Sequence, residues 1–131
     1  MEFFNIDFGK NIGITVIKII DKLKLQPLVE NAIYHGIKEK RGNGKILITG
    51  KIEGNLLCFT VIDNGKGIEE DVLNKINRIL TNSSEKETEM GYGIFNVNER
   101  IRLTYGEEYG LTYKSIYGEG TIVALRHPII E

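Results

Sequence analysis

The stretch Leu56-Leu57-Cys58-Phe59-Thr60-Val61-Ile62 is an almost unbroken apolar run, and it stops at Asp63-Asn64-Gly65-Lys66-Gly67. A short continuous run of this kind predicts a central strand covered on both faces. The strand needs partners on either side, and it delivers a carboxylate at its C-terminal end, where a ligand can be met.

The partners can be read in the flanking sequence. Ile46, Ile48 and Ile52 fall at even spacing, with Leu47 breaking strict alternation, and Glu53-Gly54-Asn55 makes a turn into the apolar run. Leu111–Tyr117 and Thr121–Arg126 form a second hairpin around Gly118-Glu119-Gly120, and the β-branched run Gly13–Ile20 predicts a further strand.

Three segments have helical periodicity. In 26–39, Pro27 suits the first turn, and Leu28, Val29, Ala32, Ile33, Gly36 and Ile37 make an apolar face before Gly42-Asn43-Gly44 ends it. In 69–80, Val72, Leu73, Ile76, Ile79 and Leu80 form the stripe, with Glu69, Glu70 and Asp71 at the N-terminus. The third helix turns Ile94, Val97 and Ile101 inward and ends near Gly106. Between the second and third, residues 81–92 are polar and aperiodic, a mobile loop long enough to act as a lid.

The order β-α-β-β-α-lid-α-β-β predicts an α+β fold: a two-layer sandwich, its largely antiparallel sheet carrying helices on one face. With 131 residues and no repeat or linker, the chain reads as a single domain, 1–131.

Charge excludes some functions. The 17 basic and 18 acidic residues nearly cancel and no basic run stands out, so no footprint for nucleic acid is present. The single cysteine, Cys58, excludes a disulfide framework and is expected to be a buried thiol in a reducing compartment. No stretch reaches the roughly 18 apolar residues of a spanning helix. Met1-Glu2-Phe3-Phe4-Asn5 does not resemble a signal peptide, so the chain is expected to be soluble, without direct membrane insertion.

Several residues bear on chemistry. Asn31, on the polar edge of the 26–39 helix, offers a hard neutral oxygen suited to Mg²⁺, or it bonds a nearby loop. Glu30 can polarise a nucleophile, or it is a solvated surface acid. His35, one turn on, can donate to phosphate, or it is structural. Asp63 can accept from an exocyclic amine of a purine, with Gly65 and Gly67 letting backbone approach the base; Asp-Asn-Gly is equally an Asx-turn sequence. Gly91 and Gly93 open a helix after the polar loop, a weak signal for phosphate and for a hinge. Thr121 can reach the base region, or Gly118–Thr121 is only a hairpin turn.

Other chemistries lack their signatures. The chain has no P-loop and no dinucleotide fingerprint. It has no catalytic triad, and His35, His127 and Cys58 lack metal-ligand spacing. His127, before Pro128 at a strand end, reads as structural.

From Leu25 to Pro128 the chain resembles the catalytic ATP-binding domain of bacterial two-component sensor histidine kinases, a Bergerat-fold domain in the superfamily shared with gyrase, Hsp90 and MutL. Leu25–Gly36 is similar to the family's N box, Val61–Ile68 to its first glycine box, Gly91–Val97 to the second, and Gly118–Thr121 to the terminal glycine and Thr element. The Gln26-Pro27-Leu28-Val29-Glu30-Asn31 wording resembles the branch with membrane-bound sensors, often with a HAMP linker, and a cytoplasmic kinase core.

The resemblance implies that Asn31 binds Mg²⁺ and that Asp63 bonds the adenine amino group of ATP. Gly65 and Gly67 would border the base, Gly91 and Gly93 would flank the phosphates and anchor the lid, and Thr121 would support the adenine site. Glu30 would assist near the γ-phosphate. Tyr34 departs from the pattern: many relatives carry Lys or Arg there to meet phosphate, a task left here to Mg²⁺, His35, the lid or another basic residue. Nothing before Gly13 resembles the family's acceptor-histidine helices.

The expected function is therefore that of a kinase catalytic domain binding Mg-ATP between the 26–39 helix and the lid. It would pass the γ-phosphoryl to a histidine on a separate dimerisation domain and, indirectly, to a response regulator. The domain would be cytoplasmic, its parent in the bacterial cell membrane. The alternatives are a free-standing serine kinase of the anti-sigma type, a nucleotide-sensing module, and a hydrolase of the gyrase or Hsp90 kind. Gyrase-like members place an acid four residues before the metal-binding Asn, where this chain has Pro27.

Overall fold

The computed structural model describes residues 4–7, 18, 20–34, 44–81 and 92–129. Among these, five strands form one sheet: β1 (Phe4–Asp7), β2 (Ile46–Glu53), β3 (Leu56–Asp63), β4 (Gly110–Ile116) and β5 (Gly120–Pro128). Their order is β1-β2-β3-β5-β4. β1 runs parallel to β2, and every other pairing is antiparallel. The apolar run takes the centre of the sheet, as its composition predicts, and both hairpins form about the expected turns.

Among the described residues the sheet is accompanied by the helices α1 (Gln26–Ala32), α2 (Glu70–Thr81) and α3 (Tyr92–Tyr105), besides a short helical turn before α1. α1 begins with Pro27 in its first turn, and residues 33–34 continue it as a π turn. The remainder of the 26–39 helix and most of the 81–92 lid lie outside the described residues. α2 has Glu70 and Asp71 at its positive end and Arg78 near its negative end, complementing its dipole. In α3, Ile94, Val97 and Ile101 are buried, as their spacing predicts.

The core lies between the sheet and the helices. Leu28 and Ala32 of α1, Ile79 and Leu80 of α2, and Val97 and Ile101 of α3 join Ile46, Ile48, Phe59, Val61, Val123 and Leu125 of the sheet in one cluster. Burial along β3 alternates strictly: Leu57, Phe59, Val61 and Asp63 are buried, while Cys58, Thr60 and Ile62 are half-buried. The expectation of cover on both faces is therefore corrected, and Cys58 is half-buried, not a core thiol. The second face owes its apolar character to cross-strand neighbours: Ile62 pairs with Leu47 and Ile122, and Thr60 with Thr49 and Ala124.

The first strand is also corrected. Of the run 13–20, the described residues Lys18 and Ile20 are helical, and the helical turn reaches residue 22. Ile20 and Leu23 pack on the core, and Leu25 is fully buried beside them. Phe4–Asp7 takes the edge position instead, with Phe4 opposite Ile46 and Asp7 opposite Thr49. β-branched composition favours strands only weakly, and tertiary position overrides it.

Two asparagines close the outer edge of β4, where unpaired backbone groups would otherwise invite another strand. Asn77 accepts from the Tyr113 N–H at 2.9 Å and donates to the Tyr113 carbonyl at 2.9 Å. Asn98, 1% exposed, accepts from the Leu111 N–H at 2.9 Å and donates to the Leu80 carbonyl at 2.8 Å.

Candidate functional site

At the end of β3 lies a cavity of about 400 Å³, lined by Asn31, Asp63, Lys66, Gly67, Ile68, Glu69, Val72, Ile76, Tyr113, Tyr117 and Thr121. The volume suits a small organic ligand, and the lining mixes an apolar wall with a few polar groups, as such sites do. Residues far apart in sequence meet here because of register: Asp63 on β3 lies directly opposite Thr121 on β5.

Asp63 makes an Asx turn, one oxygen accepting from the Gly65 N–H at 2.8 Å, and its side chain also lines the cavity. The two alternatives read from Asp-Asn-Gly are thus compatible: the turn aims the carboxylate. Gly65 is buried within this turn.

The turn is held down by the β4–β5 hairpin. Gly67, at φ +77°, passes so close to the Ile116 carbonyl that a Cβ would overlap it, and Gly120, at φ +142°, meets the Asp63 carbonyl in the same way. The Gly118 N–H donates to the Lys66 carbonyl at 2.5 Å.

Ser115 completes the joint and was not foreseen from sequence. Its hydroxyl donates to the Gly120 carbonyl at 2.7 Å and accepts from the Ile68 N–H at 2.8 Å. It also lies 2.9 Å from the Thr121 hydroxyl. A serine hydroxyl has one proton, so Thr121 is the donor in that last contact and presents lone pairs, not a proton, to the cavity. The available signal was the hairpin itself, which pairs Ser115 with Thr121.

Tyr113 is the second unforeseen residue. It is 4% exposed, and its hydroxyl accepts from Asn31 Nδ2 at 3.5 Å. Burial first, and the Asp63 carboxylate second, push its phenol well above the usual range, so it stays neutral.

The other expected residues are placed differently. Glu30 is exposed on α1, accepting from Gln26 Nε2 at 3.0 Å, and does not line the cavity. Gly93 lies against Pro27 in a separate groove with Gln26, Asn96 and Arg100. His35 and Gly91 lie outside the described residues. Tyr34 is exposed. Among the described residues lining the cavity, Lys66 carries positive charge, a candidate for the missing phosphate contact that sequence spacing did not indicate.

The donor set bears on a metal. Among the described residues no three His, Cys, Asp or Glu side chains cluster as a metal site. The cavity instead offers the single amide oxygen of Asn31, which fits a Mg²⁺ whose remaining ligands are phosphate oxygens and water.

Residues 20–130 match the family described as histidine kinase-, DNA gyrase B-, and HSP90-like ATPase. The chain belongs to this family. Within it, the ATPase domain is similar to the sensor histidine kinase YesM of Bacillus subtilis (strain 168), 37% identical over 110 residues that make 84% of this chain and 17% of the relative. It is also similar to the sensor protein LytS of Streptococcus agalactiae, at 36% over 72% of this chain and 17% of the relative. The sensor histidine kinase YpdA of Escherichia coli (strain K12) is 40% identical over 67% of this chain and 14% of the relative. The chain thus spans about a sixth of the length of the curated relatives it matches, in their catalytic ATPase region.

The α+β fold is that of solved histidine kinase catalytic domains. The catalytic domain of histidine kinase ThkA superposes with a TM-score of 0.63 at 20% identity, covering 96% of this chain and 77% of that one. The histidine kinase domain of the Erythrobacter litoralis EL346 blue-light activated kinase gives 0.60 at 21% identity, over 96% and 54%.

Proposed function

We propose that residues 1–131 form one domain that binds Mg-ATP in the cavity at the end of β3 and supplies its γ-phosphoryl to a histidine imidazole on another domain of the parent kinase. The observation that carries this reading is the β3–β5 register. It sets a carboxylate, Asp63, and a hydroxyl with its lone pairs inward, Thr121, side by side in one cavity wall. Two adjacent acceptors suit the exocyclic amine of adenine, whereas the carbonyl of guanine at that position would meet only lone pairs.

Ile68, Val72 and Ile76 offer the apolar wall for the base. Asn31 would hold Mg²⁺, which supplies charge neutralisation on the phosphates when bound. Lys66 adds positive charge at the rim, in partial compensation for Tyr34. Glu30, exposed beside the cavity-lining Asn31, would orient the incoming imidazole. That nitrogen is nucleophilic when neutral, so positioning and electrostatics carry most of the rate.

The acceptor histidine would lie on a dimerisation domain, with a response regulator next in sequence. Among the described residues no helix is long and apolar enough to cross a membrane. That the domain is cytoplasmic and its parent membrane-bound is a separate part of this proposal.

The test is phosphoryl transfer from γ-labelled ATP. The isolated chain should bind ATP without labelling itself and should label a supplied dimerisation domain from the parent. Label on His35 or His127 would overturn the proposal, as would binding with no transfer to that domain.

A further inference from the structure

We propose that Tyr113 is a positioning residue of this site: its hydroxyl holds the Asn31 amide so that the carbonyl oxygen faces the metal accompanying ATP. The inference rests on the Mg-ATP reading above and assigns the outer partner that makes Asn31 a competent ligand.

A primary amide has two unlike ends. Its oxygen binds a hard cation, while its NH₂ group would repel one. Nothing about Asn31 on a helix edge decides which end turns to the cavity. In this structure the NH₂ end is taken: Asn31 Nδ2 donates to the Tyr113 hydroxyl at 3.5 Å. Among the described residues no donor occupies the Asn31 oxygen. The contact is long and adds little stability, but with the phenol oxygen accepting from the NH₂ end, the carbonyl end of Asn31 is left for a cation.

Tyr113 is suited to the task because it is itself immobile. It stands on an edge strand, yet both of its backbone groups are gripped by Asn77 of α2. Its ring is buried in the core cluster. A chain of fixed contacts thus runs from α2 through Asn77 and Tyr113 to Asn31. Outer partners of metal ligands commonly change metal affinity by about 10–100-fold.

The 131-residue chain and Tyr113→Phe are titrated with ATP by calorimetry, once with Mg²⁺ and once in EDTA. Tyr113→Phe should lose about tenfold of the affinity that Mg²⁺ confers, with affinity in EDTA unchanged. Equal losses in both conditions would mean that Tyr113 contacts the nucleotide or merely shapes the site, and would overturn the inference. Unchanged affinity in both would do the same. Should Tyr113→Phe not fold, Tyr113→Met, a flexible apolar side chain also lacking a hydroxyl, takes its place. Asn31→Ala is measured alongside. If it keeps the full gain from Mg²⁺, the metal assignment falls and this inference with it. If it loses the gain while Tyr113→Phe keeps it, only the inference falls.

Discussion

Asp63 and Thr121 are direct partners in the β3–β5 ladder, both buried and both lining the cavity. Ser115 fixes the Thr121 proton away from the ligand, so the pair presents acceptors. On the proposed reading, purine selectivity would depend on a pairing across 58 residues of sequence (121 less 63).

Asp63→Asn keeps an oxygen for the Gly65 N–H but removes the charge and turns a donor toward an amine. A hydrogen bond to a charged group contributes about 1.5–3 kcal/mol, so nucleotide affinity should fall roughly 10–100-fold. The thermal shift induced by Mg-ADP should largely vanish while the ligand-free melting temperature moves little. Equal shifts for the two proteins would remove Asp63 from the adenine site.

Gly120→Ala should destabilise the domain by more than about 2 kcal/mol, because strain at positive φ adds to overlap with the Asp63 carbonyl. Gly54→Ala, at φ +60° in open space, should cost only about 1–2 kcal/mol. Urea unfolding of both variants tests the order, and a reversal would show that the β4–β5 turn does not press on the Asp63 loop.

Asn98→Ala strands the Leu111 N–H and the Leu80 carbonyl in the interior. Leaving buried polar groups unpaired costs about 1–3 kcal/mol each. Hydrogen exchange at the Leu111 amide should accelerate markedly more than at Val123. Unchanged protection of Leu111 would argue that the bond to Asn98 is dispensable.

His127 governs a pH dependence. Burial lowers its pKa, its bond to the Pro128 carbonyl opposes that, and the Arg100 charge lowers it further. Nδ1 is the donor to that carbonyl, at 2.6 Å, and the ring packs against Tyr105. Below about pH 6.5 the unfolded chain takes up a proton that the folded chain resists. Stability contributed by neutral His127 is thus present above that pH and declines as pH falls. The melting temperature should drop more between pH 7.5 and about 5.5 in the wild type than in His127→Gln. Parallel curves would exclude His127 as the source.

Local patterns carried much of the architecture. The i, i+3, i+4 spacing of Val72, Leu73, Ile76 and Ile79 placed α2 within a residue of its observed start and end. Glu53-Gly54-Asn55 and Gly118-Glu119-Gly120 marked both hairpins, because turns there demand glycine at positive φ. The Gly13–Ile20 expectation fails where the run is described: Lys18 and Ile20 are helical, Ile20 packs on the core, and Phe4–Asp7 holds the edge beside β2.

By itself, the sequence determined which residue types reach the site: a carboxylate at the end of β3, glycines that admit close backbone contact, an amide on α1. These follow from short-range spacing, which repeats the period of the local backbone. Tertiary structure alone decided their partners. Ser115 turns Thr121, Asn77 grips Tyr113, and Tyr113 meets Asn31 across the sheet–helix interface. A polar side chain chooses among many donors and acceptors, and that choice is settled only when packing brings distant segments to within about 3 Å of each other.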